Sequence, residues 1–470
     1  MQIELLSGCT KAELENRVKK IASAGKLSRF PGNVFEVLDS CNDYDSNLKL
    51  VKRILKMGHK SIIEHDYLIF ALVDVSPIVE QTIIGSRLTS FTIKSRREVD
   101  FRTVGYYIPK FRNKDYTIHK DNEYLTKKYK NYMQSLFDEY GKLVDLGIKV
   151  EDARFILPYC YNSNIIMGLN ARELEKMVVS LLYGKLSNIS ELKELGLLLF
   201  EIIKKYVPYL LDIIQTQENN NKEPFTYLYE NIEKPKIKIQ QKPILLNYTD
   251  NADDVVLTSA LMWNLQCTKE YAENLLDTLS KQNLDFKNNL MNIILTNKEK
   301  RELEQVTFQF QIPISLSILT HLTRHRMHSL LIPDFVPIWD LENYIIPDSI
   351  KKRAKNKYDQ IFKNNLNIYN EFKNFNIAEE DLIYFYLGGH MCNVLTTMNA
   401  STLQWICRLR CCNKAQWQIR QIAKEMINQV KEVAPLIAKG LGPTCQTNRI
   451  CYEGKESCMK ENKDSKIIIM

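Results

Sequence analysis

A long internal duplication limits the folds that are open to this chain. Four segments recur in the same order roughly 230 to 240 positions apart. The pairs are IELLSGCT with PILLNYTD, VGYYIP with ENYIIP, GLNARELEKM with TMNASTLQWI, and KKYVPYLL with KEVAPLIA. Chance similarity of apolar segments would not be expected to preserve this order. The repeat therefore predicts two similar domains rather than one large one.

A polar connection separates the two copies. Residues 215–243 are rich in Asn, Lys and Gln and are punctuated by prolines, which is typical of an inter-domain linker. We predict a first domain at 1–214, a linker at 215–243 and a second domain at 244–470 that carries a cysteine-containing tail.

Each half has the same predicted order of elements. A short apolar strand, at 3–6 or 244–246, precedes a helix, and a β-branched segment follows at 66–75 or 305–314. Apolar side chains at 306, 308, 310 and 312 alternate with polar ones, which predicts a strand. We expect Pro313 to open the next helix and one long helix to run from about Ser401 to Lys439. These patterns predict an α+β fold with a sheet packed against long helices in each half.

Composition narrows the class of protein. The chain has 470 residues, 45% of them hydrophobic, and a net charge of +8, which suits an anionic small molecule as well as nucleic acid. No apolar run reaches the roughly 18 residues that span a membrane. The start, MQIELLSGCTKAELE, lacks the pattern of an export signal. The 11 cysteines are therefore expected to be reduced thiols of a cytoplasmic protein.

Three consecutive cationic-capable side chains, Arg324, His325 and Arg326, end an apolar segment in the second half. They cannot share one face of a helix, so they suit a ligand that they surround. Arginine presents a planar fork that matches phosphate, and histidine can donate to a carbonyl or stack on a flat ring. Spacing alone also permits a basic helix end that complements the helix dipole.

The Arg-His-Arg stretch, followed by Ser329, resembles the signature of the flavin-dependent thymidylate synthases. In that family a Ser-x-Arg comes next. Four further segments resemble motifs of the same family: GHKSIIEH (58–65), EDARFILP (151–158), NARELEKM (170–177) and RLRCCNKAQWQIRQIAKEM (408–426). The resemblance covers nearly the whole chain as two copies, and together the motifs are specific.

The resemblance implies a fold, a reaction and an assembly. The fold is a mostly antiparallel sheet packed against long helices. The reaction is FAD-linked reductive methylation of dUMP to dTMP, with methylenetetrahydrofolate and NADPH as co-substrates and no cysteine nucleophile. Family members are homotetramers, so a fused pair is expected to form a homodimer that imitates the tetramer, without nucleic acid or membrane as a partner.

Carried over residue by residue, the family's site residues are divided between the halves. The first half matches nucleotide-binding positions at Ser95, Arg97, Arg154 and Arg87, and flavin-binding positions at His59, Asn170 and Arg172. The second half matches flavin-binding positions at Arg324, His325, Arg326 and Asn399, and substrate or catalytic positions at Arg410 and Ser329. Ser95 is a catalytic candidate as well.

Each half has also lost part of the pattern. In the second half LLIPDFVP replaces the Ser-x-Arg, Ile383 replaces an Arg and Ser401 another. In the first half GSRLTSF keeps only Arg87 and Ser90 of its motif, and Leu181 stands where the second half has Arg410. We therefore expect one composite active site shared by the two halves. Decay of both halves is the opposing interpretation.

The C-terminal tail adds Cys445, Cys451 and Cys458, with Cys411 and Cys412 upstream. Such thiols could bind zinc or an iron–sulfur cluster, although the spacings are wider than the usual pairs, and purely structural thiols fit equally. Two other functions stay open from the sequence. One is a related flavin enzyme acting on another pyrimidine nucleotide, and the other is an inactive nucleotide- or nucleic-acid-binding homologue.

Overall fold

The computed structural model describes residues 1–216, 231–232, 238–336, 341–458 and 467–469. Most of the predicted linker, 215–243, lies outside these residues. The chain forms two compact units, the first from Met1–Ile237 with Phe335–His390 and the second from Lys238–Asp334 with Met391–Met470. The units do not follow the sequence halves, because residues 335–390 of the second half pack within the first unit.

The secondary structure alternates helices with short strands. The strands are β1 (Gln2–Leu5), β2 (Tyr67–Val75), β3 (Thr89–Ile93), β4 (Ser163–Asn170), β5 (Ile244–Tyr248), β6 (Thr307–Ser315), β7 (Ser329–Leu331), β8 (Met391–Asn399), β9 (Ile450–Cys451) and β10 (Ile468–Ile469). The helices up to the linker are α1 (Lys11–Leu27), α2 (Val34–Asp39), α3 (Tyr44–Lys56), α4 (Pro77–Gly85), α5 (Asn122–Asp145), α6 (Val150–Ala153), α7 (Ala171–Tyr183), α8 (Ser190–Tyr206) and α9 (Leu211–Gln215).

The described helices after the linker are α10 (Ala252–Leu265), α11 (Lys269–Gln282), α12 (Phe286–Thr296), α13 (Leu316–Thr323), α14 (Asp348–Arg353), α15 (Lys355–Asn374), α16 (Glu379–Leu382), α17 (Ala400–Arg410), α18 (Trp417–Val433), α19 (Pro435–Ala438) and α20 (Thr444–Thr447). Short 3₁₀ helices lie at Lys60–His65, Arg154–Ile156, Lys185–Asn188, Pro208–Leu210, Arg301–Gln305, Ile383–Phe385 and Gly454–Glu456.

The two main sheets have the same topology. Their strand orders are β1-β2-β4-β3 and β5-β6-β8-β7, and every pairing in them is antiparallel. The small β9–β10 pair is parallel. The repeated order is what a duplicated chain would produce, and the predicted α+β class with two similar sheets is confirmed.

The core of the first unit joins α5 and the loop before it to the 335–390 segment. Phe111 lies 5.1 Å from Phe372 and Tyr129 lies 5.4 Å from Phe385, measured between ring centroids. All four rings are buried, and aromatic pairs at these separations stabilise a core beyond their buried area. The segment is therefore an integral part of this unit.

The expectation that Pro313 opens a helix is wrong. Pro313 lies in strand β6 opposite Asn393 of β8, and helix α13 begins at Leu316. Strand β5 pairs with β6 only as far as Gln311, and among the described residues no strand pairs with β6 on that side beyond this point. A proline, which lacks an N–H, is tolerated at such an edge.

The single long helix expected from about Ser401 to Lys439 is also wrong, because it is broken into α17, α18 and α19. The side chain of Gln416 accepts from the backbone N–H groups of Gln418 and Ile419 and starts α18 anew. A second break occurs at Ala434, before Pro435. Apolar residues keep a helical spacing across the first break, so the sequence pattern does not reveal where α17 ends and α18 begins.

In the part of the chain that the structure describes, no helix combines the length and the apolar character needed to cross a bilayer.

Candidate active site

Two of the predicted nucleotide-binding arginines meet in the first unit. The Arg97 guanidinium forms an ion pair with the Glu151 carboxylate, and Nε of Arg154 donates to the Glu151 carbonyl oxygen at 3.1 Å. Arg154 is only 3% exposed, and its Nη2 has no hydrogen-bond partner among the described residues. Burial, followed by the charge of Arg96, lowers the pKa of Arg154 to about 10. A buried guanidinium with an unused donor is suited to an anion.

Arg96, which the motif comparison did not single out, supports this cluster. It is buried and donates to the carboxylate of Glu80 and to the hydroxyl of Tyr161. The Glu80 charge keeps the pKa of Arg96 above its ordinary value although burial opposes this. The sequence signal that could have found it is the acidic Glu80 within the apolar helix PIVEQTIIG. The set Arg96, Arg97 and Arg154, with Glu80 and Glu151, is called the arginine cluster below.

Ser95 lies just beyond the end of β3 and is exposed. Its hydroxyl accepts from the backbone N–H of Arg97 at 3.3 Å, which ties it to the arginine cluster. Arg87 and Ser90 are exposed too, Arg87 in the loop after α4 and Ser90 on β3.

The predicted flavin-side residue His59 lines a cavity of about 490 Å³. The other lining side chains include three cations, Lys26, Arg29 and Arg53, together with Phe30. Cationic groups around an aromatic side chain suit a ligand that combines phosphate with a flat ring. The cavity lies between α1, α3 and the 3₁₀ helix Lys60–His65, and all three belong to the first unit.

Asn170 and Asn399 occupy equivalent positions in the two halves. Each starts a helix by accepting a backbone N–H three residues ahead, from Glu173 at 2.9 Å and from Thr402 at 2.8 Å. Such a cap stabilises a helix by about 1 kcal/mol. Both side chains thus have a structural role beside the flavin contact that the family pattern implies.

Arg172 forms an ion pair with Glu64 of the GHKSIIEH segment, and its Nε is buried without a partner among the described residues. This contact brings the predicted Asn-x-Arg motif onto the segment that carries His59.

In the second unit the three residues of the Arg-His-Arg stretch differ in how deeply they are buried. His325 is 6% exposed, whereas Arg324 and Arg326 are exposed on either side of it. Nε2 of His325 accepts a hydrogen bond from Nε of Arg410 at 2.8 Å. Two predicted site residues from distant parts of the sequence are therefore in direct contact.

The contact fixes the state of the imidazole. Arginine has no acceptor, so Nε2 of His325 carries no proton and Nδ1 carries it. Burial, followed by the charge of Arg410, lowers the pKa of His325 to about 3. His325 is therefore a neutral acceptor that orients Arg410. Ser329, the remaining candidate of this segment, begins β7 and is exposed.

The tail cysteines Cys445, Cys451 and Cys458 are free thiols. Within the described ranges, no group of three or more His, Cys, Asp or Glu side chains could hold a metal ion. Cys451 donates instead to Ser457, and Asn413 donates to Cys458. The geometry gives the predicted metal set no support.

Comparison with known proteins gives a consistent result over both halves. A family model described as "Thymidylate synthase complementing protein" matches residues 12–209 and 244–436. A protein of Clostridium tetani named flavin-dependent thymidylate synthase is 31% identical over 247 residues, which are 48% of this chain and 96% of that protein. One of the same name from Saccharolobus solfataricus is 36% identical over 147 residues, 30% of this chain and 56% of that protein.

Among solved structures, a UMP/dUMP methylase, PolB from Streptomyces cacaoi bound with 5-Br dUMP, aligns with a TM-score of 0.38 and 18% identity. The alignment covers 46% of this chain and 94% of that one.

Proposed function

Because this chain belongs to the thymidylate synthase complementing protein family, we propose that it converts dUMP to dTMP by FAD-dependent reductive methylation. Methylenetetrahydrofolate supplies the carbon and NADPH the hydride. The observation that carries the proposal is the buried Arg154, whose Nη2 has no partner among the described residues and which lies beside Arg97.

The arginine cluster binds the nucleotide phosphate in this proposal. Its three guanidinium groups lie near two carboxylates, Glu80 and Glu151, and Arg154 keeps an Nη2 donor that has no partner among the described residues. Hydrogen bonds to a charged group contribute about 1.5–3 kcal/mol each when they are shielded from water. Ser95, joined to Arg97 by its hydrogen bond, supplies a further hydroxyl at the exposed side of the cluster.

The residues around His59 fit a flavin dinucleotide. The cavity combines the cations Lys26, Arg29 and Arg53 with Phe30, and the nearby Arg172 retains an Nε without a partner among the described residues. A pyrophosphate requires such donors, and an isoalloxazine ring requires a flat neighbour. When bound, FAD supplies the electrons that reduce the transferred carbon to a methyl group. Arg324, Arg326 and Asn399 of the second half are proposed as further flavin contacts.

Arg410 is the proposed activating group for the pyrimidine. Negative charge that develops on a uracil oxygen makes the ring carbon nucleophilic enough to attack the methylene carbon, and a fixed guanidinium stabilises that charge. The hydrogen bond to neutral His325 orients Arg410 and adds no competing positive charge. Ser329 is proposed as a hydroxyl donor on the same side.

The two halves are proposed to share one site. The sequences of the two halves are complementary: the first half keeps Arg97 and Arg154 and has Leu181 where the second half has Arg410. The second half keeps Arg324, His325 and Arg326 and lacks the Ser-x-Arg. A homodimer is part of this proposal, and light scattering after gel filtration measures it.

The test uses the purified full-length chain with added FAD. We expect flavin absorption bands that remain after gel filtration, and NADPH oxidation that requires both dUMP and methylenetetrahydrofolate, with dTMP identified by chromatography. Turnover with UMP or dCMP but not with dUMP would show that the substrate is another pyrimidine nucleotide. A protein that binds dUMP without flavin would instead be an inactive homologue, and the proposal would be wrong.

A further inference from the structure

Two equivalent lysines of the duplicated chain have different partners. Lys60 lies seven residues before the first residue of β2, and Lys300 lies seven residues before the first residue of β6. Nζ of Lys60 contacts both carboxylate oxygens of Glu175, at 3.0 and 3.1 Å. Glu175 comes five residues after the cap Asn170, and the residue five after the cap Asn399 is Gln404. The carboxylate partner in the first half therefore corresponds to an amide in the second half.

Lys300 has only neutral acceptors among the described residues. Its Nζ donates to the Leu295 carbonyl oxygen at 2.7 Å and to Oε1 of Gln404 at 2.6 Å. Gln404 is 2% exposed, whereas Lys300 is half-buried and reachable from solvent. A neutral amine has two N–H bonds and one lone pair. The two acceptors satisfy both N–H bonds of the neutral form and leave its lone pair available.

A second cation lies beside this amine. Arg408 is four residues after Gln404 on helix α17 and therefore on the same face of that helix. Its Nε is buried and has no partner among the described residues. Burial, together with the charge of Arg408, lowers the pKa of Lys300 from 10.5 to about 8. Near pH 7.5 the neutral amine is thus much more populated than for an ordinary lysine.

We propose that Lys300 is a nucleophilic modification site that forms an imine with an aldehyde carrying an anionic group, which Arg408 binds. The Nζ lone pair adds to the carbonyl carbon, and a proton moves from nitrogen to oxygen to give a carbinolamine. Loss of water, which takes the hydroxyl group and the remaining amine hydrogen, leaves the C=N bond. The step requires no oxidant or reductant.

This inference is independent of the proposed nucleotide chemistry. Neither Lys300, Gln404 nor Arg408 belongs to the arginine cluster or to the His59 cavity. The readout is a covalent mass change at one residue, so enzymatic activity is not required to measure it.

The experiment treats the full-length protein with pyridoxal 5′-phosphate at pH 7.5, reduces the imine with borohydride and maps the labelled lysines by mass spectrometry. We expect Lys300 to be labelled at least about fivefold faster than Lys60. The reason is that Lys60 contacts a carboxylate, which stabilises the ammonium form, whereas the acceptors of Lys300 among the described residues are neutral. The Lys300→Arg variant, which cannot form the imine at this position, gives the background signal for the peptide that contains residue 300. Equal labelling of the two lysines would overturn the proposal.

Two exchanged variants form the matched control. Gln404→Glu restores the partner that Lys60 has and should lower Lys300 labelling about fivefold or more, because a carboxylate stabilises the ammonium form. Glu175→Gln should raise the labelling of Lys60 in return. If neither substitution changes the labelling, the side chains at positions 404 and 175 do not control the reactivity of the two lysines. Since the two variants lie in different units, misfolding of one leaves the other informative.

The anion-binding part is tested by Arg408→Met with two probes. Pyridoxal 5′-phosphate and pyridoxal have the same aldehyde, and only the first carries a phosphate. We expect the ratio of their labelling rates at Lys300 to fall severalfold in the variant. An unchanged ratio would mean that Arg408 does not bind the anionic group of the aldehyde.

Discussion

Nε of Arg410 lies 2.8 Å from Nε2 of His325 and donates a hydrogen bond to it. The two residues are distant in the sequence, one before β7 and the other at the end of α17. Burial and this contact keep His325 neutral, and the contact limits the orientations open to the Arg410 guanidinium. The Arg-His-Arg stretch is consequently two exposed cations around one buried neutral ring.

The first prediction concerns the titration of His325. Burial is the largest cause of its low pKa and the Arg410 charge the next. Arg410→Leu, which copies Leu181 of the first half, should therefore raise the pKa from about 3, although burial keeps it below 6.5. NMR of ¹⁵N-histidine-labelled protein measures the shift, and His325→Gln identifies the signal. An unchanged pKa in the Leu variant would contradict the contact.

The second prediction concerns stability in acid. His390 is fully buried, its Nδ1 accepts from the backbone N–H of Leu387 at 2.8 Å, and burial lowers its pKa from 6.5 to about 3. The His390 imidazole therefore binds a proton near pH 6.5 in the unfolded chain but only near pH 3 in the folded chain. The stability contribution is present above pH 6.5 and is lost as the pH falls toward 3.

In His390→Gln the free energy of unfolding should depend less steeply on pH between about 6 and 4. One proton corresponds to about 1.4 kcal/mol per pH unit. Urea denaturation at several pH values measures the slope. His65→Gln, which makes the same change at an exposed histidine, is the control for the substitution itself. A parallel slope for His390→Gln and the unaltered protein would refute the assignment.

The third prediction separates the two ligands. Arg97→Ala removes one cation of the arginine cluster and should weaken dUMP binding about tenfold or more while flavin stays bound. Arg324→Ala should weaken flavin binding and leave dUMP affinity less affected. Calorimetry with dUMP and flavin absorbance measure the two effects. Arg102→Ala, which breaks exposed pairs with Asp100 and Asp145, is the control. Loss of both ligands in both test variants would indicate misfolding and defeat the division of roles.

The fourth prediction tests the membership of residues 335–390 in the first unit. Arg112 donates to the Asp381 carboxylate at 2.7 to 3.1 Å, and the Asp381 side chain is 1% exposed. Removing one partner of a buried pair leaves a buried charge and costs about 3–5 kcal/mol. Asp381→Asn should therefore lower the free energy of unfolding by about 3 kcal/mol, measured by urea denaturation.

Asp277→Asn provides the matched control for that experiment. Its partner Lys281 is exposed, as is Asp277 itself, and such surface pairs contribute less than about 1 kcal/mol. Equal effects of the two substitutions would mean that the Arg112–Asp381 pair does not stabilise the first unit.

Local patterns in the sequence predicted much of this protein. The period-two alternation around Phe308 and Phe310 predicted β6, and the collinear repeats predicted two sheets of the same kind, because side chains that face a core must recur with the period of the element that carries them. The motifs likewise led to the family, which both matched segments confirm. The division of site residues between the halves stays a prediction.

Other features depend on contacts that no local pattern contains. The break between α17 and α18 depends on the Gln416 side chain, and the place of Pro313 depends on how far β5 extends. The 335–390 segment packs in the first unit because aromatic rings and the Asp381 carboxylate find partners there.

The duplication, the α+β class and the set of residues that resemble the family's site are all readable from the order of the amino acids. Which of those residues are buried, and what each one contacts, depends on how the chain folds in three dimensions. Burial and charge neighbours are set by side chains far away along the chain, as for Arg96 with Glu80 and His325 with Arg410. These neighbours fix the protonation state of a group, and hence whether it can act as a cation, as a neutral acceptor or, for Lys300, as a nucleophile.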